Sequence, residues 1–198
     1  LLKSDHIHHI LVIGSEVLSK ITDFTDRATC VLFGDGAGAA VLAKGDGIRG
    51  IVTGADGTKG ACLNSRGFPV NNIVVEGSKA PQLIRMDGKE VYKFAVNILP
   101  EAVKAAVSRG EGNLAELDHI VPHQANIRII EAASRRLDIS MDKFHVNIQN
   151  TGNTSSASIA IALDELSRSG KLVNGQKLAL VGFGGGLTYG AVYLEWNM

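Results

Sequence analysis

An excess of charge of either sign is missing from this sequence. Its 20 lysines and arginines are balanced by 20 aspartates and glutamates, which excludes the polyelectrolyte surface that grips nucleic acid or an anionic membrane and leaves only local patches to explain. Long apolar runs are missing too. None approaches the ~18 residues of a membrane-crossing helix, and the opening Leu1, Leu2, Lys3 has neither the basic head nor the apolar stretch of a secretion signal. A cytoplasmic protein with no nucleic-acid and no membrane partner is the expectation. Cysteine is scarce: Cys30 and Cys62 stand in no CxxC pair and no metal-ligand spacing, so both read as reduced packing residues. His6, His8 and His9 lie close together without a recognisable set of carboxylates or cysteines beside them, and no metal is expected. The glycine-rich runs at 34–38 and 182–186 do not continue into GxGxxG, and no Walker lysine precedes a serine or threonine, so neither run reads as a nucleotide loop.

What is present is enough apolar material for a core. With 45% apolar and 20% charged residues and a mean hydropathy of +0.12, the chain matches one or two compact α/β units. Short β-branched runs alternate with helix-period stretches, the pattern of a layered α/β domain. Strands are expected at His9–Gly14, Thr29–Phe33, Ala39–Ala43, Ile48–Ala55, His119–Pro122, His145–Ile148, Lys177–Gly182 and Ala191–Glu195. One helix is expected over Lys89–Ser108, with Val91, Phe94, Ala95, Ile98, Val103 and Val107 on its apolar stripe and Gly110 as its stop. A second, Gln124–Leu137, turns Ile127, Ile130, Ala133 and Leu137 inward. A third begins near Ser155, places Ile159, Leu163 and Leu166 on one face and stops before Gly170.

An internal repeat organises the chain. CVLFGDGAGAAVLA (Cys30–Ala43) is similar to LALVGFGGGLTYGAVYL (Leu178–Leu194), and both read as closing strand pairs whose small residues let backbones approach closely. If each closes one unit, residues 48–198 form a second, complete half, and residues 1–47 are the end of a first. On that reading roughly 100 residues of the first unit are absent.

Three segments carry candidate chemistry. HIVPHQANIRII puts His123 at the junction from a strand to a helix, where α/β proteins assemble sites because loops converge there. Read alone, the residue is equally a hydrogen-bonded core histidine. TGNTSSAS repeats the arrangement: Asn153 lies in a polar turn, and the hydroxyl residues after it read as caps for the next helix. GFGGGLTYG supplies Gly184, Gly185 and Gly186, whose amides form either an anion-binding nest or a tight hairpin.

Taken in order, TDRATCVLFGDGAGAA, GKEVYKFAV, VPHQANIRII, GNTSSAS and FGGGLTYGA resemble the C-terminal two-thirds of β-ketoacyl-acyl carrier protein synthase III, along essentially the whole chain. The resemblance implies a thiolase-like αβαβα layered sandwich, with one complete half plus the end of the other, and a homodimer when full length. It implies an acyltransferase that condenses a short acyl-CoA, acetyl-CoA foremost, with malonyl-acyl carrier protein to begin fatty-acid synthesis. The CoA thioester is a substrate, and no cofactor is implied. His123 and Asn153 would donate hydrogen bonds to the thioester oxygen on which negative charge develops, and the Gly185 amide would hold the tetrahedral oxyanion. Arg27 matches the arginine against the CoA adenine. Gly88 and Asn126 match positions along the pantetheine arm, and Phe33, Leu63, Ile84 and Phe183 match walls of the acyl pocket. Lys93, Arg128, Arg135 and Arg136 match a basic rim that receives the carrier protein; otherwise they are solvated helix faces. Thr151 departs from the family, which commonly has a larger aromatic residue or histidine there. Neither Cys30 nor Cys62 matches the nucleophile, so the chain reads as lacking the half that carries it. A non-catalytic fragment that binds CoA and carrier protein, and a secondary-metabolite relative, are the alternatives.

Overall fold

An apolar run and a run of mostly small residues build the first paired element. In a computed structural model that describes residues 4–65, 74 and 83–197, β1 (His9–Glu16) and β2 (Gly36–Ala43) form an antiparallel ribbon running from His9 opposite Ala43 to Glu16 opposite Gly36. The chain then enters a different sheet through β3 (Ile48–Ala55). Two three-residue strands, β4 (Leu63–Ser65) and β5 (Ile84–Met86), pair antiparallel in front of α1 (Gly88–Arg109). There follow β6 (His119–Pro122), α2 (Ile127–Leu137), the single turn α3 (Ile148–Thr151), α4 (Ser158–Arg168), and the hairpin of β7 (Lys177–Gly184) and β8 (Thr188–Glu195). The main sheet has the order β3-β8-β7-β6, antiparallel except for the parallel pair β6 and β7.

Strand periodicity decides which layer covers which face. Ala179 and Val181 of β7, with Ile120 of β6 and Ala191 and Tyr193 of β8, are buried with Leu99, Val103 and Ala106 of α1 and Ile129, Ile130 and Ala133 of α2. Leu178 and Val121 point the other way, into a cluster with Ala162 and Leu166 of α4. A side chain such as Leu178, fully buried, contributes roughly 1.5–3 kcal/mol. Beyond α4 lies the β1–β2 ribbon. The described residues therefore stack as helix, sheet, helix, ribbon.

Local chemistry explains the helix ends. Asp87 caps α1 by accepting from the Lys89 and Glu90 amides at 3.1 Å each, and Gly110 closes it. Pro100 removes one helix donor, and the buried residues on either side of it hold the helix through that loss. At the closest approach of α1 to β3, a Cβ on Gly50 would stand 2.1 Å from the Ala106 carbonyl oxygen, so glycine is required there.

Several expected elements differ. Residues 29–32 are not a strand but successive turns: the Asp26 carboxylate accepts from the Ala28 amide at 2.9 Å and the Thr29 hydroxyl at 2.7 Å, and only Phe33 makes a strand-like bridge, to Asn153. The proposed repeat keeps only its closing strand. Residues 178–194 do form a hairpin, whereas in 30–43 only β2 is a strand, and its partner is β1. His145–Ile148 is not a strand either. After the His145 amide donates to the Ile120 carbonyl at 2.9 Å, the Asn147 amide turns to the Gln124 side chain at 3.1 Å, and Ile148 opens α3. The second helix begins at Ile127 rather than Gln124, because Asn126 is its cap and accepts the Arg128 amide at 2.9 Å. Ile127 is exposed and Ile129 takes the inward position. β4 and β5 were not anticipated. Gly45, Gly47 and Gly50 do meet the GxGxxG spacing, but they lead from one strand into another rather than into a helix N-terminus, so they make no phosphate site. Among the described residues no helix is long and apolar enough to cross a membrane.

Candidate active site

Strand β6 ends at Pro122, and the next residue turns its imidazole into a cavity of about 830 Å³. The His123 amide donates to the Val181 carbonyl at 2.7 Å, which extends the β6–β7 ladder by one bond and fixes the backbone beneath the ring. The ring itself is held on two sides. Phe183 meets it edge-on, with centroids 5.4 Å apart, and Nδ1 lies 2.6 Å from the Ser158 hydroxyl at the start of α4. Burial disfavours the charged imidazolium and lowers the pKa from 6.5 to about 4. At neutral pH His123 is therefore an uncharged ring with one donor and one acceptor nitrogen.

Asn153 reaches the same cavity from the turn after α3. Its amide donates to the Leu32 carbonyl at 2.9 Å and its own carbonyl accepts from Gly34 at 3.0 Å, so the residue is stitched to the segment before β2. A Cβ on Gly34 would lie 2.2 Å from the Thr151 carbonyl oxygen, and the close approach of the two segments depends on that glycine. The side-chain Oδ1 accepts from the Ser155 amide at 2.9 Å. With its oxygen engaged, Asn153 has its Nδ2 left as the group it can offer as a donor.

Gln124 locks the two loops together. Fully buried, it donates from Nε2 to the Pro122 carbonyl at 2.9 Å and to the His145 carbonyl at 3.0 Å, while its oxygen accepts the Asn147 amide at 3.1 Å. One side chain thus ties the end of β6 to the stretch that leads to Asn153. Next along, Asn147 donates to Glu165 of α4 at 2.9 Å.

The structure brings together most of the residues singled out from sequence. His123, Asn153 and Gly185 all line the cavity, Gly185 from the turn between β7 and β8. Phe33, Leu63, Ile84, Gly88, Asn126 and Phe183 line it as well. Arg27 does not. It is exposed in the turns before β2, next to the lining residue Ala28. Lys93 on α1 and Arg128, Arg135 and Arg136 on α2 are exposed and outside the lining. Lys93 and Arg136 meet at Asn97, whose Nδ2 donates to the Lys93 carbonyl at 2.8 Å and whose oxygen accepts from the Arg136 guanidinium. Cys30 sits in the turns, Cys62 packs against the cluster of Val91, Phe94 and Leu187, and neither is a lining residue.

Gln124 and Ser158 were missed in the sequence reading. The hydroxyls after Asn153 were expected to cap a helix, and none does: α4 starts without a side-chain cap, and the Ser158 hydroxyl faces His123 instead. The signal was the serine itself, small and polar at the first position of an otherwise apolar helix face.

Comparison with known proteins finds relatives of one kind. A model described as 3-oxoacyl-(acyl-carrier-protein) synthase III C terminal matches residues 108–196, and one described as 3-oxoacyl-(acyl-carrier-protein) synthase III matches residues 1–57. A beta-ketoacyl-(acyl-carrier-protein) synthase III of Clostridium acetobutylicum is 48% identical over 99% of this chain and 61% of its own length. The crystal structure of the synthase III of Thermus thermophilus superposes with a TM-score of 0.89 at 40% identity, covering 99% of this chain and 61% of that one. A priming β-ketosynthase from the R1128 polyketide biosynthetic pathway gives a TM-score of 0.83 at 38% identity, covering 98% and 59%. The fold is the thiolase-like layered sandwich. The chain spans about three-fifths of the length of the curated relatives it matches, 61% in each of the first two.

Proposed function

Because the chain belongs to the 3-oxoacyl-(acyl-carrier-protein) synthase III family of acyltransferases, we propose that it acts in the decarboxylative Claisen condensation of a short acyl-CoA, acetyl-CoA foremost, with malonyl-acyl carrier protein. This is the step that starts fatty-acid synthesis. The observation that carries the reading is the convergence of His123 and Asn153, both with donor capacity, on one cavity.

In the malonyl half-reaction the bond between the α-carbon and its carboxylate breaks, CO2 departs, and the electron pair moves onto the thioester oxygen as an enolate. A neutral imidazole N–H and the Asn153 amide N–H lower the barrier by donating to that oxygen as its charge grows, each preorganised donor contributing about 3–4 kcal/mol. An uncharged histidine serves this better than a cation, since it neither protonates the enolate nor needs a counter-ion in a desolvated site. The enolate carbon then attacks the carbonyl of an acyl-cysteine. The resulting oxyanion accepts from the Gly185 amide and collapses with loss of thiolate, leaving β-ketoacyl carrier protein.

In this reading the acyl-carrying cysteine comes from outside residues 1–198, because Cys30 and Cys62 lie away from the cavity lining. The chemistry calls on no metal or redox cofactor. Gly88, Asn126 and, at the rim, Arg27 take the CoA and pantetheine arm, and Phe33, Leu63, Ile84 and Phe183 enclose the acyl group. The exposed cations Lys93, Arg128, Arg135 and Arg136 receive the acidic carrier protein. In this reading the full-length enzyme is a cytoplasmic homodimer.

The test combines the chain with the cysteine-bearing half of the enzyme and supplies acetyl-CoA and malonyl-acyl carrier protein. Acetoacetyl-carrier protein should form with the pair and with neither part alone; failure of a correctly folded pair would contradict the assignment. A second reading, in which the acyl donor belongs to a secondary-metabolite pathway, draws on the 38% identity to the polyketide priming synthase. Profiling acyl-CoA donors with the same pair separates the two.

A further inference from the structure

A neutral histidine can stabilise an enolate only if its proton is on the nitrogen that faces the substrate, and nothing in the ring chooses that nitrogen reliably. Ser158 is placed to make the choice. It is buried, it is the first residue of α4, and its hydroxyl lies 2.6 Å from His123 Nδ1. The second partner of that hydroxyl is the backbone amide of Gln124, at 3.4 Å. An amide N–H only donates, so the Ser158 oxygen accepts from Gln124, and its own proton remains available to donate to Nδ1. The reverse arrangement would have Nδ1–H donating to the same oxygen. The serine would then hold two accepted bonds, while its own proton would meet no other acceptor among the described residues in this buried position. That arrangement would also leave Nε2 a bare lone pair, repelling a developing oxyanion.

We propose that Ser158 is a positioning residue that holds His123 as the neutral Nε2–H tautomer by donating its hydroxyl hydrogen bond to Nδ1, leaving the Nε2–H donor for the cavity. The proposal rests on the reading of His123 as a donor to the enolate oxygen. Gln124 takes part twice. Its backbone amide occupies the Ser158 acceptor, and its side chain pins the loop that carries His123. The Phe183 ring, steeply inclined to the imidazole with centroids 5.4 Å apart, stands against the ring in this contact. The interaction joins residues 35 apart in sequence, linking the end of β6 to the start of α4.

The test is a two-bond ¹H–¹⁵N correlation spectrum of the histidine-labelled chain at pH 7, with His123 assigned from the signals that vanish in His123→Gln. Wild-type protein should show an Nδ1 resonance typical of an unprotonated, hydrogen-bond-accepting nitrogen and a protonated Nε2. In Ser158→Ala the Nδ1 resonance should shift away from the hydrogen-bonded value as the tautomers begin to mix, with the other histidine signals in place as the control for folding. Ser158→Thr, which keeps the hydroxyl, should restore the wild-type pattern. A protonated Nδ1 in the wild type, or an unmoved Nδ1 resonance in well-folded Ser158→Ala, would overturn the proposal. Should Ser158→Ala not fold, the wild-type and Ser158→Thr spectra still decide it. Failure of the functional reading has a different signature: the tautomer would be as described, but His123→Gln would leave malonyl decarboxylation unchanged in the reconstituted enzyme.

Discussion

In the main sheet, Leu178 and Ala179 are neighbours on one strand, face opposite ways, and are both fully buried, one against α4 and the other against α1 and α2. In the β1–β2 ribbon, the face of Gly14 and Gly38 lies against the start of α4 and the turn before it, whereas Leu11, Ile13 and Val41 on the opposite face are 59%, 62% and 66% exposed. Both regions are short apolar strands of similar composition. Only the layers around them differ. An apolar strand announces that it needs cover, but not whether the same chain supplies it, so the two regions should respond very differently to substitution.

The largest contrast is expected in the core. Leu178→Ala should destabilise the fold by about 2–5 kcal/mol, measured by urea unfolding, because it opens a cavity between two fixed layers. A pH effect comes next and arises at the end of β6. His123 is held neutral in the folded protein with a pKa near 4 instead of 6.5, so the unfolded chain binds more protons between those values. Stability from this group is intact above about pH 6.5 and declines as pH falls toward 4, by up to about 3 kcal/mol in total. His123→Gln should flatten that part of the pH profile; an unchanged profile would remove His123 as its source. Smaller again, Gly50→Ala should cost about 1–3 kcal/mol, since the added methyl meets the α1 backbone at 2.1 Å. The smallest stability effect is on the ribbon, where Ile13→Ser should stay within about 0.5 kcal/mol of wild type while lowering self-association in sedimentation. A loss comparable to that of Leu178→Ala would mean that the ribbon's face is already covered.

The same contrast explains what could be read from sequence. β3 and β6 matched their expected limits, and α1 nearly did, because periodicity and flanking caps are local signals. Thr29–Phe33 looked just as strand-like, but its Thr29 and Cys30 amides donate to the Asp26 carbonyl, which turns the chain and leaves it no ladder partner beyond the Phe33 bridge. β4 and β5, at three residues each, are too short to carry a period. In the site, His123, Asn153 and Gly185 were legible as residues at chain junctions, and the cavity joins them. Gln124 and Ser158 were not, because their partners lie 21–23 and 34–35 residues away and no local pattern encodes a side chain bridging separate loops.

In the proposed function Asn153 and His123 serve the enolate oxygen rather than the site in general. In the reconstituted enzyme, acyl transfer from acetyl-CoA to the cysteine and decarboxylation of malonyl-carrier protein are measured separately for Asn153→Ala. Decarboxylation should fall roughly 10²–10³-fold, the usual loss for one such donor, with acyl transfer changed far less. Equal losses in the two half-reactions would contradict it.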